Sequence, residues 1–285
     1  MVKMERFGEL IRIGLLKLAF LYFLFLFCPP PLAAQVMPLT NAHAHNDYWH
    51  FRPLIQAVNN GFMSVEADVS LISGRILVAH ERIFARKRKS LWRKYLEPLY
   101  EKAKANDFKS VYPNGPKEFI LYIDIKTGCP DLLDTLISQL KKVEPMLTVW
   151  ENGVKKTGAV SVIVGPCSRE EEWVNAPKRY FYFDSYLGGI GSKYGPDVIP
   201  RVSTNLRSVI SWRGCGQIPA DQKAKLDSLI AIAHADKRTI RFWAATNKPK
   251  VWKVLLDAGV DWVNVDRLRR FRKFMEKRRG YKIRK

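Results

Sequence analysis

Histidine is scarce in this sequence, and its scarcity limits the metal chemistry that the chain can perform. The 285 residues include five histidines: His43, His45, His50, His80 and His234. His43 and His45 would suit a zinc hydrolase, but such a centre needs further histidines on the middle strands of a barrel. The strand-like segments Tyr180–Phe183 and Ile199–Ser203 contain none. A histidine-rich zinc centre of the amidohydrolase kind is therefore excluded.

The sequence also has no apolar run long enough to span a membrane. The longest apolar run lies near the amino terminus. The run Leu18–Phe27 is about half of the ~20 residues that a membrane span needs. Basic residues precede it, and three prolines and Leu32-Ala33-Ala34 follow it. This order is typical of a secretory signal peptide, so residues 1–34 are predicted to be removed on export. We expect a periplasmic or extracellular protein with one domain over residues 35–285.

Acidic residues are few, at 27 against 48 basic ones, which gives a formal charge of +21. Arg267–Lys285 alone carries eleven basic residues and one acidic residue, Glu276. Such a tail is predicted either to be a solvated helix end or to contact an anionic membrane surface. The interleaved aromatic and basic residues of a nucleic-acid recognition module are absent, so no nucleic-acid partner is expected. We expect the protein to be a monomer.

Cysteine is rare as well, with four residues in the chain and three after the leader. Export permits a disulfide bond, and an odd number leaves at least one thiol unpaired or intermolecular. Cys129 and Cys167 follow neighbouring predicted strands in loops on one face of the barrel. We therefore predict a bond between these two, with Cys215 free.

Short apolar runs alternate with segments of helical periodicity from residue 38 onward. The predicted strands are Leu39–His45, Met63–Val69, Ile76–Ala79, Phe119–Ile125, Val160–Val164, Tyr180–Phe183, Ile199–Ser203, Thr239–Ala244 and Trp262–Val265. The predicted helices are Arg52–Asn60, Leu91–Ala105, Asp131–Lys142, Arg169–Val174, Ala220–Ala235, Lys250–Asp257 and Leu268–Lys277. If Ile76–Ala79 is the return arm of a hairpin, eight strand–helix units remain, which predicts a (β/α)₈ TIM barrel. A doubly wound sheet is less consistent, because no glycine-rich phosphate turn follows the first strand.

Pairs of ionisable residues end three of these strands. Residues two apart in a strand point to the same face, so Glu66 shares a face with Asp68, and Asp124 shares one with Lys126. His45 ends the first strand in the same way. Because the active site of such a barrel lies at the carboxyl ends of its strands, we expect these side chains to form one site.

The chemistry of this set points to a hard cation and a phosphodiester. Glu66, Asp68, Asp124 and the Asn46 amide form an all-oxygen ligand set that suits Mg²⁺ or Ca²⁺. The imidazoles of His45 and His80 titrate near neutral pH and suit proton transfer. Lys126 and Trp243 are expected to bind substrate. His43 is expected inside the barrel or behind the site, and His50 and His234 are expected to be structural or exposed.

Several ordered motifs resemble the superfamily that joins phosphatidylinositol-specific phospholipases C, glycerophosphodiester phosphodiesterases and spider-venom phospholipase D. The motifs are His45-Asn46-Asp47-Tyr48, Gly61-x4-Glu66-x-Asp68 with the following His80, Leu121-Tyr122-Ile123-Asp124-Ile125-Lys126-Thr127, Trp243-Ala244-Ala245-Thr246-Asn247, and Gly259-Val260-Asp261 with Asp266. The layout, including Ser90-Leu91-Trp92-x3-Leu96-Glu97-Pro98-Leu99, most resembles the branch called altered inheritance of mitochondria protein six. The resemblance spans about Leu39–Phe274.

The resemblance implies a PI-PLC-like barrel with a catalytic His45 and His80 and one divalent cation. It implies hydrolysis of a phospholipid headgroup or a glycerophosphodiester. Cyclisation by a substrate hydroxyl and a non-catalytic barrel that binds anionic lipid or the cell envelope are the alternatives. The phosphodiesterases' His-Arg-Gly and Glu-Asn-Thr elements are missing, and Asn46 or Asp47 takes the place of their metal-ligand glutamate. Glu66→Gln or Asp68→Asn is expected to weaken cation binding while leaving the fold intact.

Overall fold

The computed structural model describes residues 36–166 and 170–280. Its strands are β1 (Leu39–Ala44), β2 (Phe62–Ile72), β3 (Arg75–Val78), β4 (Phe119–Thr127), β5 (Val149–Glu151), β6 (Val154–Lys156), β7 (Val160–Val164), β8 (Lys178–Arg179), β9 (Tyr182–Ser185), β10 (Arg201–Asn205), β11 (Thr239–Trp243) and β12 (Trp262–Val265). Its α-helices are α1 (Ile55–Asn59), α2 (Glu97–Lys104), α3 (Cys129–Lys142), α4 (Glu170–Val174), α5 (Leu206–Val209), α6 (Ala220–Ala235), α7 (Pro249–Asp257) and α8 (Leu268–Arg278).

Eight parallel strands close into the predicted (β/α)₈ barrel. Their order is β1-β12-β11-β10-β9-β7-β4-β2, and β1 also pairs with β2, which completes the ring. The predicted hairpin arm is confirmed as β3, which runs antiparallel to β2 outside the ring. Because all eight strands run the same way, their carboxyl ends meet at one end of the barrel.

Two layers of side chains fill the molecule. Outward-facing residues of the strands, such as Ala44, Val65 and Leu121, pack under the helices in one continuous apolar core. Inside the ring, Ile120, Tyr122, Ile163 and Tyr182 form a separate apolar cluster. Buried polar side chains, among them His43 and Glu66, occupy the interior nearer the carboxyl ends. The barrel is therefore polar inside at the end where the site was predicted.

Several predicted elements differ in extent from those observed, among them two strands and one helix. β9 and β10 each begin two residues later than predicted, because the loop residues Tyr180, Phe181 and Ile199 are buried in the core without pairing in the sheet. The apolar residues at these positions indicate that the segment is buried, but not that it pairs in the sheet. The predicted helix Leu91–Ala105 is a π-helical turn over Trp92–Leu96 followed by α2, in whose first turn Pro98 lies. Proline lacks the backbone N–H that would continue the earlier hydrogen bonds.

A small antiparallel sheet of order β6-β5-β8 was not predicted. Its strands are two or three residues long, too short for a periodic pattern. The closing helix was predicted correctly: Leu268 and Phe271 of α8 are buried, and the Phe271 ring lies 5.1 Å from that of Trp252. Within the described ranges, no helix has the length and apolar character to span a membrane.

Two predictions fall on residues outside the described ranges. The signal peptide lies in residues 1–34, and the proposed partner of Cys129, Cys167, lies in the gap at 167–169. Both stay predictions. Cys215 is a free, exposed thiol, as predicted.

Gly61 explains why the motif before Glu66 begins with glycine. It joins α1 to β2 with φ of 84°, and its carbonyl accepts the Leu39 N–H at 2.6 Å. A Cβ at this position would lie 2.3 Å from the Met37 carbonyl oxygen. This close approach sets the start of β2 beside β1 and hence the position of Glu66.

We predict that Gly61→Ala lowers the free energy of unfolding more than Gly74→Ala. Gly74 also has a positive φ, 69°, but a Cβ there would meet no atom within 4 Å. Gly74→Ala should therefore cost only the left-handed backbone strain, about 1–2 kcal/mol. Gly61→Ala should add an overpacking cost of roughly 1–3 kcal/mol. Urea unfolding of both variants measures the difference, and equal losses would show that the Met37 carbonyl moves freely.

Candidate functional site

A cavity of about 530 Å³ opens at the carboxyl ends of the barrel strands. All eight side chains predicted for the site line it: His45, Asn46, Glu66, Asp68, His80, Asp124, Lys126 and Trp243. They come from β2, β4 and β11 and from the loops after β1 and β3. The parallel barrel brings these separate segments together because each strand ends at the same rim.

Three carboxylates lie together on two neighbouring strands. Glu66 and Asp68 share the inner face of β2, and Asp124 sits beside Asp68 in the register of β2 with β4. One oxygen from each of the three lies within 4.8 Å of the other two. Glu66 and Asp68 are buried, and the side chain of Asp124 is 30% exposed. The cluster is thus closed on the barrel side and open toward the cavity.

Glu66 is neutralised from below by Arg241. The Arg241 Nη1 donates to Glu66 Oε2 at 2.9 Å and to His43 Nε2 at 2.8 Å. Burial by itself raises the pKa of Glu66, but the charge of Arg241 outweighs it and holds this pKa well below its ordinary value. Glu66 therefore stays ionised without any other cation.

His43 is a neutral interior residue, as predicted. It is fully buried, and burial reinforced by the charge of Arg241 lowers the pKa of His43 to about 3. Because Arg241 can only donate, His43 Nε2 accepts from it, and the Nδ1–H donates to Ser64 Oγ at 2.7 Å. His43 is thereby saturated by protein contacts, which agrees with the exclusion of a histidine-pair zinc site.

Asp68 is the carboxylate with unused coordination capacity. Its Oδ2 accepts from His80 Nδ1 at 2.6 Å and lies 3.1 Å from Lys126 Nζ. Its Oδ1 is buried and has no hydrogen-bond partner among the described residues. Burial and the charge of Glu66 raise the pKa of Asp68. An additional positive charge at this point would relieve both the burial cost and the repulsion.

Lys126 bridges the outer two carboxylates. Its Nζ donates to Asp124 Oδ2 at 2.9 Å and contacts Asp68 as described. Burial alone would lower the pKa of Lys126, but the charge of Asp68 and the bond to Asp124 raise it. Lys126 is therefore a fixed ammonium at the cavity wall.

His45 is held by Asp266, which follows β12. The His45 Nδ1–H donates to Asp266 Oδ1 at 2.7 Å, and the Asn46 amide donates to the same oxygen at 3.3 Å. Burial lowers the pKa of His45, but the bond to Asp266 and the charge of Glu66 outweigh it and raise that pKa. This bond places the proton on Nδ1 and leaves His45 Nε2, 3.9 Å from Glu66 Oε1, for the cavity.

Asn46 and Asp47 point in different directions. Asn46 has φ of 50° and lines the cavity, where its Oδ1 accepts the Tyr48 hydroxyl at 2.6 Å. Asp47 is fully buried and accepts the Leu54 N–H at 2.6 Å. Burial raises the pKa of Asp47 to about 7. Of the two residues considered for the missing glutamate, Asn46 alone lines the cavity, and Asp47 serves the turn before α1.

His80, like His45, contacts a carboxylate through its Nδ1. Its Nδ1–H donates to Asp68, and its side chain is 48% exposed at the cavity. Both histidines are therefore paired through Nδ1 with a carboxylate. Such a bond fixes the tautomer and leaves Nε2 for proton exchange.

A family model for the AIM6-like phosphodiesterase domain matches residues 31–184. That range includes every predicted site residue except Trp243. The chain belongs to the AIM6-like phosphodiesterase domain family.

Curated relatives of this family extend the likeness over most of the chain. Altered inheritance of mitochondria protein 6 of Eremothecium gossypii is 30% identical over 85% of this chain and 71% of its own. The homolog from Arthroderma benhamiae is 26% identical over 84% of each chain. Glycerophosphodiester phosphodiesterases of Parabacteroides distasonis and Agrobacterium tumefaciens align with 84–86% of this chain at 15% and 12% identity, with TM-scores of 0.48 and 0.49.

Sequence reasoning missed the buried ionic network beneath the site of this AIM6-like domain. Arg201 is fully buried, pairs with Asp184 at 3.3 Å and lies 4.4 Å from the ring centre of Tyr122. Arg241 lies 4.5 Å from the same ring. Ser203 accepts from Arg241 Nε at 3.1 Å and donates to Asp184 at 2.8 Å. The available signal was an arginine inside each of two apolar strand runs, which is rare without a partner.

A second missed feature is the support of Asp266. Asn247 donates to Asp266 Oδ2 at 2.5 Å and accepts the Asp266 N–H at 2.9 Å. Asn247 thus fixes the carboxylate that orients His45. Both residues occur in the motifs of the last two strands, but their contact follows only from the fold.

The structure changes the expectation for Glu66→Gln: because Glu66 is the partner of the buried Arg241, we now predict that this variant destabilises the fold. Removing one member of a buried ion pair leaves an unpaired charge and costs about 3–5 kcal/mol. Asp68→Asn should instead leave the metal-free protein unchanged or more stable, because repulsion with Glu66 disappears. Thermal unfolding without divalent ions tests both, with Asp107→Asn on the exposed surface as the matched control.

Divalent ions should distinguish the same variants. If the carboxylates bind Mg²⁺, Ca²⁺ or Mn²⁺, saturating ion should stabilise the wild type by about 2.7 kcal/mol at 100 times the dissociation constant. Asp107→Asn should show the full shift, and Asp68→Asn little or none. An ion-induced shift that survives in Asp68→Asn would place the cation elsewhere.

Proposed function

We propose that this chain is a divalent-metal-dependent phosphodiesterase that acts on a phospholipid headgroup or a glycerophosphodiester. One observation carries the proposal. Three converging carboxylates are flanked by two histidines that are each paired through Nδ1 with a carboxylate, and the buried Asp68 Oδ1 has no partner in the part of the chain that the structure describes. The family model, whose domain is a phosphodiesterase domain, supports the reaction class.

The residues present fit a hard cation. Glu66, Asp68 and Asp124 would hold it, with Asn46 near them on the cavity wall, and oxygen donors of this kind favour Mg²⁺ or Ca²⁺. When bound, such an ion would offset the negative charge that develops on the phosphoryl oxygens. Arg241 already compensates Glu66 from below, so this ion would chiefly satisfy Asp68 and Asp124.

The protein's own groups supply the remaining chemistry. Lys126 places an ammonium beside the carboxylates, where it can pair with a non-bridging phosphoryl oxygen. Trp243 offers an apolar wall for the alcohol portion of the substrate. Side chains fill the barrel interior below the site, so bulk water reaches the site only from the open end of the cavity.

Two proton transfers complete the reaction. His45 Nε2 takes the proton from the attacking hydroxyl as its oxygen bonds to phosphorus, and Asp266 stabilises the imidazolium. His80 gives its Nε2 proton to the leaving oxygen as the phosphorus–oxygen bond breaks, and Asp68 supports it. Attack by water yields a phosphomonoester, whereas attack by a substrate hydroxyl yields a cyclic phosphate.

Export and membrane contact are part of the proposal. The leader pattern in residues 1–34 supports secretion, and the eleven basic residues of Arg267–Lys285 support contact with an anionic surface. A protein released outside the cell would meet phospholipids and their diester fragments there.

The first test is turnover of the mature protein on phospholipids and glycerophosphodiesters with Mg²⁺, Ca²⁺ or Mn²⁺, followed by phosphorus NMR of the products. Hydrolysis predicts a phosphomonoester signal, and cyclisation predicts a cyclic phosphate. Binding to anionic vesicles without any turnover would instead identify a non-catalytic barrel.

A leaving-group comparison tests the roles of the histidines. His80→Ala should lose about 10²–10⁴-fold in rate on an alkyl phosphodiester, but much less on its nitrophenyl analogue, because nitrophenolate departs without protonation. His45→Ala should lose comparably on both. The ion-induced rise in melting temperature must be unchanged in each variant, since a lost cation would mimic either result. Rescue of His45→Ala by the nitrophenyl substrate would reverse the assignment.

A further inference from the structure

Exposed apolar side chains are concentrated at the mouth of the cavity. Trp49 is 67% exposed, Ile83 75%, Phe84 51% and Tyr186 62%. These four residues, here called the mouth patch, are half of the large apolar side chains that are exposed in the described parts of the chain. A soluble protein rarely gathers such side chains at one place unless they meet an apolar partner.

The mouth patch is directly joined to the cavity. Trp49 and Tyr186 line it, and the Phe84 ring lies 6.5 Å from that of Trp49. Ile83 and Phe84 lie in a turn that begins two residues after His80. The patch therefore lies beside the cavity that contains the two histidines.

A dense basic segment flanks the patch. Residues 82–89 contain five exposed cations: Arg82, Arg86, Lys87, Arg88 and Lys89. None of them forms an ion pair with another described residue, whereas many surface lysines elsewhere do, such as Lys109 with Asp107 and Lys253 with Asp257. Arg86 Nη1 donates to the carbonyls of Ile83 and Ala85, each at 3.0 Å, which holds the turn in shape.

Apolar side chains beside uncompensated cations match the chemistry of an anionic lipid bilayer. The apolar groups enter the interface between headgroups and acyl chains, and each nearby Lys or Arg adds attraction to anionic lipid. A second copy of this chain would bring the same five cations against them, and lysine is depleted in protein interfaces. The charge therefore favours lipid over a self-association surface.

We propose that the mouth patch and residues 82–89 dock the protein on an anionic membrane, with the cavity facing the headgroups. The docking itself stands on the exposed residues alone. Its consequence, that the substrate is a lipid taken from the bilayer rather than a free glycerophosphodiester, rests on the proposed function. This surface is distinct from the basic tail, in which Arg272 pairs with Glu276 and Arg278 pairs with Asp257.

Sedimentation with vesicles tests the docking. The probes are vesicles of phosphatidylcholine alone and of phosphatidylcholine mixed with phosphatidylglycerol. The full chain should bind the mixed vesicles much more tightly. Lys87→Gln/Arg88→Gln/Lys89→Gln should weaken that binding by about 100-fold, and Ile83→Ser/Phe84→Ser by roughly 10- to 100-fold.

Matched variants control for charge and for exposed apolar area. Val154→Ser/Ile232→Ser removes two exposed apolar side chains away from the mouth, and Arg269→Gln/Arg270→Gln/Lys273→Gln removes three cations of α8. Val154→Ser/Ile232→Ser should retain the binding, and the α8 variant should weaken it less than the mouth variants do, because the basic tail adds attraction without apolar contact. Loss of binding only in the α8 variant, or equal loss in all four, would overturn the proposal. So would mouth variants that change sedimentation of the protein alone but not its vesicle binding, because the patch would then meet a second copy.

Activity separates this proposal from the proposed function. Neither set of mouth variants touches the carboxylates or histidines, so turnover of a soluble glycerophosphodiester should stay unchanged while turnover of vesicle lipid falls with binding. Vesicle binding that depends on the mouth, without turnover of either substrate, would keep the docking and refute the enzyme. Turnover of both substrates with no effect of the mouth variants would keep the enzyme and refute the docking.

Discussion

The buried contact of Arg241 with Glu66 is the interaction on which the site depends. Arg241 projects from β11 into the barrel and bonds both Glu66 and His43. A carboxylate in this interior would otherwise be protonated or displaced, because burying an unpaired charge is costly. Because Arg241 compensates its charge, Glu66 remains ionised at the floor of the cavity. Its carboxylate is therefore available to a cation that binds in the cavity.

Charge compensation decreases from the barrel interior toward the cavity. Below the site, Arg201 pairs with Asp184, and Arg241 compensates Glu66. Higher up, Asp68 and Asp124 share one ammonium, Lys126, and one Asp68 oxygen receives no hydrogen bond from residues 36–166 or 170–280. The deep layer is therefore balanced in charge, with two arginines against two carboxylates, whereas the upper layer retains negative charge. This gradient is the physical reason that a divalent cation fits at the upper layer.

Much of the site followed from strand periodicity and from the shared direction of barrel strands. Glu66 and Asp68 are two residues apart, and the closed ring places Asp124 beside them, so their meeting was predictable. The apolar spacing of Leu268 and Phe271 likewise predicted the buried face of α8. The bounds of β9 and β10 were not predictable, because Tyr180 and Ile199 are buried in loops whose apolar sequences resemble those of strands. Local hydrophobicity does not distinguish a paired strand from a buried loop.

By itself, the sequence determined the barrel, the family resemblance and the residues that meet at its mouth, because these depend on periodicity and order along the chain. Only the tertiary structure decided what each residue is paired with. Arg241 and Glu66 are 175 positions apart and His45 and Asp266 are 221 apart, so no local pattern relates them. The same holds for the exposed turn at Ile83 and Phe84, whose place beside Trp49 depends on the return of β3 to the cavity. Contacts of this kind form when strands close into a ring, and the closure sets which distant charges face each other.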